Sequence, residues 1–156
     1  MKPAPFTYLA PKSLAEALGQ LDTYDQDAKV LAGGQSLVPL MNFRLARPGF
    51  LIDINGLREL SNISLGNGGI ALGSLVTQRE VEFSSEIFRR LPILTEAIQL
   101  VGHPAIRNRG TVGGSLVHAD PAAELPVLAL ALDAELTLQS TDGSRSCEAK
   151  DFYSGI

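Results

Sequence analysis

Thr111-Val112-Gly113-Gly114-Ser115-Leu116-Val117-His118-Ala119-Asp120-Pro121-Ala122-Ala123-Glu124-Leu125-Pro126 is the stretch around which this sequence is organised. A β-branched pair leads into two adjacent glycines, a hydroxyl residue, a short apolar run, and a proline with an acid on either side. Glycine has no Cβ, so it reaches positive φ and lets a ligand come close to the main chain. Successive amide N–H groups in such a turn converge into a concavity suited to phosphate. Upstream, Leu31-Ala32-Gly33-Gly34-Gln35-Ser36-Leu37 repeats the order of apolar residue, Gly-Gly, small polar residue and leucine. On the glycines alone, two unrelated tight turns and two clamps on one diphosphate stand as equal readings.

The composition narrows the function classes. The 156 residues are 45% hydrophobic and 19% charged, enough for one substantial core or two small ones. A net charge of −4 without a basic stripe argues against a nucleic-acid partner. The lone Cys147 excludes a disulfide framework, and a thiolate cluster or zinc site would need ligands from elsewhere. Cys147 itself reads as a small apolar residue on a hairpin. No apolar run approaches the length of a membrane span, and Met1 to Pro5 does not lead into a signal-peptide apolar region. A soluble, cytoplasmic domain is expected.

Working outward, Phe6–Leu9 reads as a short strand, and Ser13-Leu14-Ala15-Glu16 has capping-box spacing before an amphipathic helix ending near Tyr24. Val30–Ala32 is a strand that stops at Gly33-Gly34. Ser36 is placed to cap a helical segment from Leu37 to Arg44, and Phe50–Ile54 is a buried strand. Strand, helix, strand, helix, strand predicts a small parallel sheet with the first Gly-Gly at its carboxyl edge, where ligands of open α/β sheets sit. Asn55-Gly56 marks a boundary between a subdomain at 1–56 and a second at 57–156.

Beyond it, a turn of helix at Leu57–Leu60 precedes a hairpin, Ile63–Leu65 and Ile70–Gly73, around Asn67-Gly68 in a type I′ turn. Thr77-Gln78-Arg79-Glu80 repeats the capping-box spacing. Pro92 leads a helix from Ile93 to Val101 that Gly102 terminates. Leu116–Ala119 reads as a buried strand, Asp120 as the N-cap of a helix with Pro121 at its first position, and Glu124 in its first turn. Glu135–Gln139 and Ser144–Lys150 form a closing hairpin about Thr141-Asp142-Gly143.

Other chemistries find little support. Gly-Gly-Gln-Ser-Leu is not a nucleophile elbow, and Ser115, His118 and Asp120 are too close along a strand to converge as a triad. His103 and His118 begin no metal motif; His118 reads as a hydrogen-bonded interior residue ahead of any catalytic role, and His103 as a loop residue. No lysine follows either Gly-Gly, so there is no P-loop, and the dinucleotide Gly-x-Gly-x-x-Gly is absent. Phosphate binding by paired Gly-Gly segments is the better case.

The order of features carries a resemblance. Ala32-Gly33-Gly34-Gln35-Ser36-Leu37, then Ile106-Arg107-Asn108-Arg109-Gly110-Thr111-Val112-Gly113-Gly114-Ser115-Leu116, then His118-Ala119-Asp120-Pro121-Ala122-Ala123-Glu124-Leu125-Pro126 resembles the FAD-binding medium subunit of molybdenum hydroxylases, the carbon monoxide dehydrogenase and xanthine dehydrogenase family. The resemblance covers the whole chain. It implies an α+β fold of the PCMH type: a small N-terminal α/β subdomain with short parallel strands, a larger one with an antiparallel sheet and helices, and FAD between them.

By that resemblance Ala32, Gly33, Gly34, Gln35, Ser36 and Leu37 form one diphosphate loop, and Thr111, Gly113, Gly114 and Ser115 flank the other side. Glu124 contacts the cofactor through hydroxyl or ribityl groups, and Val101, His118 and Asp120 line it. The implied role is an oxidoreductase subunit whose FAD relays electrons to an external acceptor. Molybdenum cofactor sits on a large partner subunit and iron–sulfur clusters on a small one; no side chain here acts as acid or base. The absence of a cysteine set agrees with a dedicated flavin subunit. A non-catalytic diphosphate-binding or subunit-docking module, and a flavin reductase using nicotinamide, are the alternatives. Medium subunits of the family run past Ile156 into a C-terminal subdomain. The chain is therefore expected to be a fragment or an incomplete sequence, with an under-supported flavin end and weak or absent FAD affinity.

Overall fold

Strand β1 (Thr7–Leu9) leads into helix α1 (Leu14–Tyr24), where Ser13 Oγ accepts from the Glu16 amide at 3.2 Å. The Glu16 carboxylate reaches past Ser13 to the amide of Lys12 at 2.8 Å, so the expected box closes one residue earlier than its spacing implies. In this computed structural model, which describes residues 1–66 and 68–153, β2 (Ala28–Leu31) and β3 (Phe50–Asp53) complete a parallel sheet in the order β1-β3-β2. The apolar run at Leu51-Ile52 is buried because β3 is the middle strand, paired on both sides.

Gly33-Gly34 follows β2 at the carboxyl edge of that sheet, and α2 (Leu37–Asn42) comes next. Ser36 does not cap it through its side chain. Its backbone is already helical (φ −100, ψ −48), whereas a capping serine needs extended geometry to aim its oxygen at the first turn.

A 3-10 turn at Arg58–Ser61 precedes the antiparallel hairpin of β4 (Ile63–Gly66) and β5 (Gly69–Leu72), whose register pairs Gly66 with Gly69. The type I′ reading depends on Asn67, which lies outside the described residues. Thr77 and Glu80 form the full capping box of α3 (Gln78–Glu82): Thr77 Oγ1 accepts from the Glu80 amide at 3.2 Å and Glu80 Oε2 from the Thr77 amide at 2.7 Å. Helix α4 (Ser85–Arg90), capped by Ser84, was not expected. Helix α5 (Pro92–Leu100) starts at Pro92 and ends before Gly102, whose φ is +47°. A single helical turn, α6 (Pro104–Arg107), follows His103.

The largest departure from expectation falls between Thr111 and Ala119. Gly113-Gly114 is not a turn and Leu116–Ala119 is not a strand; Val112–His118 form helix α7, ended by Ala119 at φ 53°. The reason lies in the first-turn amides. Thr111 Oγ1 accepts from Gly114 at 3.1 Å, while the carbonyls of Val76 and Ser74 take the amides of Val112 and Gly113 at 2.9 and 3.1 Å. A helix start with those donors satisfied is favoured even with two glycines inside it. Helix α8 (Glu124–Ala131) starts three residues later than expected, since Asp120 closes a turn instead: its Oδ1 accepts from Ala122 and its carbonyl from Ala123, both at 2.9 Å.

Strands β6 (Glu135–Ser140) and β7 (Gly143–Glu148) pair as the expected hairpin, and α9 (Ala149–Phe152) follows. Two apolar clusters hold the elements together. Val76, Val81, Ile87, Leu94, Ile98, Val112, Leu125 and Leu128 join α3, α4, α5, α7 and α8. Ala17, Leu57 and Leu75 form the smaller one, with Ala32, Ile54 and Leu60 against it, so residues on both sides of Asn55-Gly56 share it. Among the described residues no helix is long and apolar enough to cross a membrane.

Candidate functional site

The first Gly-Gly segment rests on the chain that leads into the second. A Cβ on Gly33 would stand 2.3 Å from the Arg109 carbonyl oxygen and 2.9 Å from Gly110 Cα, so only glycine permits this approach. Gly34 turns the chain at φ +73°. Among the described residues, the amides of Gly33, Gly34, Gln35, Ser36 and Leu37 donate to no acceptor, while Gln35 Nε2 steadies the loop by donating to Gly33 O at 3.1 Å. Consecutive amides without internal acceptors are what an anion needs from a backbone. An open cleft of about 430 Å³ lies beside them, lined by Leu31, Gly33, Gly34, Gln35, Val38, Pro39 and Arg109.

A polar network fixes this loop to the sheet. Asn55 Nδ2 donates to Ala32 O at 2.9 Å and to Asp53 Oδ1 at 2.7 Å; Tyr8 donates its hydroxyl to Asp53 Oδ2 at 2.5 Å. Partial burial pushes the Asp53 carboxyl up, but hydrogen bonds from Tyr8 and Asn55, with the charge of Arg109, outweigh it and hold the group below its usual range. The same bond to Asp53 raises the Tyr8 hydroxyl.

At the second segment the backbone is already engaged. The amides of Val112, Gly113, Gly114 and Ser115 donate to Val76 O, Ser74 O, Thr111 Oγ1 and Thr111 O. Gly113 is glycine for packing: a Cβ would stand 2.6 Å from Ser74 Cβ and 2.7 Å from its Cα. What this side offers a ligand is therefore the half-buried Ser115 hydroxyl and the open approach to Gly114. Gln78 Nε2 donates to Ser115 Oγ at 2.9 Å.

Arg107 braces the same region and is 7% exposed. Its Nε and Nη2 donate to Glu82 Oε2 and Oε1 at 2.9 and 3.1 Å, and Nη1 to the carbonyls of Val101 and Gly102 at 3.0 and 3.3 Å. A bidentate pair of this kind fixes direction as well as charge. The Arg107 guanidinium holds the Glu82 carboxyl below its usual range.

The remaining expected site residues fall at the ends of α5, α7 and α8 and in the turn between the last two. Val101 caps α5 and gives its carbonyl to Arg107. His118 is exposed at the end of α7, not interior as its apolar neighbours implied, because the segment is a helix whose buried stripe does not include it. Asp120 is exposed in the following turn, and the half-buried Glu124 opens α8. Arg109, Arg107 and Gln78 were not picked out from sequence. Gln78 shares the inward face of α3 with Val81 at i+3, a spacing that flags it as a polar residue in an apolar position.

These groups fit a dinucleotide. The amides of Gly33 to Leu37 and the Arg109 cation beside the cleft suit linked phosphates, and the chain leading on from Gly110 carries the half-buried Ser115 hydroxyl. Over 151 residues the chain is 51% identical to the 6-hydroxypseudooxynicotine dehydrogenase complex subunit alpha of Paenarthrobacter nicotinovorans, covering 97% of this chain and 51% of that protein. It is 43% identical over 157 residues to caffeine dehydrogenase subunit beta of Pseudomonas sp. strain CBB1, covering 99% and 53%. The solved carbon monoxide dehydrogenase from Hydrogenophaga pseudoflava matches with a TM-score of 0.95 at 40% identity, over 98% of this chain and 53% of that one. The chain thus spans about half the length of the relatives it matches. The family described as FAD binding domain in molybdopterin dehydrogenase matches residues 4–156, and the chain belongs to that family.

Proposed function

We propose that this chain carries the FAD of a molybdenum hydroxylase of the dehydrogenase type, as its medium subunit. In this reading FAD, when bound, supplies a redox centre that takes electrons from iron–sulfur clusters on a small partner subunit and delivers them to an external acceptor in the cytoplasm. A large partner subunit bears the molybdenum cofactor and oxidises the substrate. The names of the relatives, each a dehydrogenase chain or subunit, support this assignment.

The observation that carries the reading is the run of amides from Gly33 to Leu37, without acceptors among the described residues and held against Arg109 and Gly110. Those amides bind the diphosphate, Ala32 is fixed by Asn55 so that the loop keeps its shape, and Arg109 neutralises charge beside it. Ser115 donates from the facing side, Thr111 holds the first turn of α7, Gly113 lets that turn pack against Ser74, and Gly114 keeps the exposed side of the turn free of a side chain. Val101, His118, Asp120 and Glu124 line the rest of the cofactor. We divide the site between subdomains at 1–56 and 57–156, since each contributes one of the two Gly-Gly segments.

Titration of the full-length protein with FAD, ADP and AMP tests the cofactor part. A clear preference for FAD supports the reading; equal uptake of all three assigns a generic phosphate module. Bleaching of the flavin absorbance by a chemically reduced iron–sulfur protein, and not by NADH alone, supports the relay; the reverse pattern assigns a nicotinamide-dependent reductase.

A further inference from the structure

The most buried polar side chain near the site is Gln78, 2% exposed. Its main-chain amide donates to Gly110 O at 2.8 Å, and its carboxamide lies along the Gly110 backbone, where a Cβ on Gly110 would stand 2.8 Å from Oε1. Nε2 donates to Ser115 Oγ at 2.9 Å, and Oε1 has no partner among the described residues. Gly110 in turn is the residue against which Gly33 packs. One carboxamide therefore touches the chain between the two Gly-Gly segments and the one side-chain hydroxyl that the second segment offers.

A serine hydroxyl has one proton to give and two lone pairs to receive with. In a helix that proton is commonly lost to the carbonyl four residues back. Among the described residues Ser115 Oγ makes no such bond to the Thr111 carbonyl, and Gln78 presents N–H, not oxygen, to Oγ. Resting on the FAD reading above, we propose that Gln78 is a positioning residue for the cofactor's diphosphate: by donating to Ser115 Oγ it leaves the Ser115 proton free to be donated to a phosphate oxygen. The opposite orientation of the carboxamide would draw that proton inward and leave Ser115 only lone pairs to show an anion. No bond is made or broken; a hydrogen bond is directed.

The test is a double-mutant cycle on FAD affinity in the full-length protein, read by flavin fluorescence, with thermal melting as the control for folding. Gln78→Met removes the donor at similar size, and Gln78→Glu replaces it with an isosteric acceptor. Each is expected to weaken FAD about tenfold, equivalent to about 1.4 kcal/mol, and Ser115→Ala to do the same. In the Ser115→Ala background, Gln78→Met should change affinity less than about twofold. If the Met variant does not fold, Gln78→Glu completes the same cycle. The proposal is overturned if Gln78 variants weaken FAD equally with and without the Ser115 hydroxyl, which marks a packing role. It is also overturned if Ser115→Ala weakens FAD while neither Gln78 variant does. Failure of the unaltered protein to bind FAD overturns the FAD reading itself, a result distinguishable from either of these.

Discussion

The Gly33–Leu37 loop and the Val112–Ser115 turn of α7 meet near Gly110, and each is built on adjacent glycines followed by a small polar residue. Among the described residues, the loop's main-chain amides have no internal acceptors, whereas in the helix start each has one. The difference comes from the neighbours. Thr111 places an oxygen over the Gly114 amide, and the Ser74 and Val76 carbonyls pass alongside, so α7 satisfies itself. Ser36 makes no side-chain cap bond, and among the described residues no acceptor reaches the amides of Gly33 to Leu37, so they stay open to a ligand. Paired glycines thus serve two ends here: exposure of donors at the first segment, and close packing at the second.

Glycine replacement breaks the comparison most strongly. Gly33→Ala drives a Cβ to 2.3 Å from the Arg109 carbonyl, a main-chain atom that cannot swing away. A stability loss of about 1–3 kcal/mol is expected, with FAD binding abolished, by thermal melting and fluorescence titration. Gly113→Ala collides with Ser74 at 2.6 Å and should lose similar stability. Its remaining folded fraction should still bind FAD, because no amide on that side faces the ligand.

The caps sharpen the contrast at the next level. Thr111→Val strips the Gly114 amide of its acceptor and should cost about 0.5–2 kcal/mol, measured by denaturant melts. Ser36→Ala removes no cap bond and should stay within about 0.5 kcal/mol, yet still lower FAD affinity if its hydroxyl touches phosphate. Asn55→Ala removes the hydrogen bond to Ala32 O, and a loss of about 0.5–1.5 kcal/mol is expected, with weaker FAD binding and unchanged α7.

The smallest effect is on pH. Asp53, beside the loop, and Glu82, paired with Arg107 on α6, both have carboxyls held below their ordinary values. Their contribution to stability is fully present above the usual carboxylate range and is lost as pH falls through the lowered values. Asp53 is partly open to solvent and is screened accordingly; the Glu82 side chain is only 10% exposed against an equally covered Arg107, so its share is screened less. Melting temperature should decline on acidification, and Asp53→Asn or Glu82→Gln should each flatten that decline.

Much of the fold was legible because local signals and burial agreed. Phe50 to Ile54 read as a buried strand and became the central strand of the sheet, and Thr77 with Glu80 closed the capping box that its spacing describes. Leu116 to Ala119 misled because a short apolar run does not distinguish strand from helix. The deciding contacts, from Ser74 and Val76, come from a distant part of the chain. The same cause hid Gln78 and Arg107. Each is polar and buried only because a partner, Ser115 or Glu82, arrives from another element. The order of the motifs carried the family, whereas the unequal use of the two backbones needed coordinates.

The central claim is that the amides of Gly33 to Leu37, and not those of Val112 to Ser115, grip the cofactor's phosphates. Amide resonances of the ¹⁵N-labelled full-length protein, followed during titration with ADP, test it directly. The Gly33, Gly34, Gln35, Ser36 and Leu37 amide protons should move downfield while those of Val112, Gly113 and Gly114 stay near their starting positions. Large downfield shifts at Gly113 and Gly114, with Gly33 to Leu37 unmoved, would contradict it.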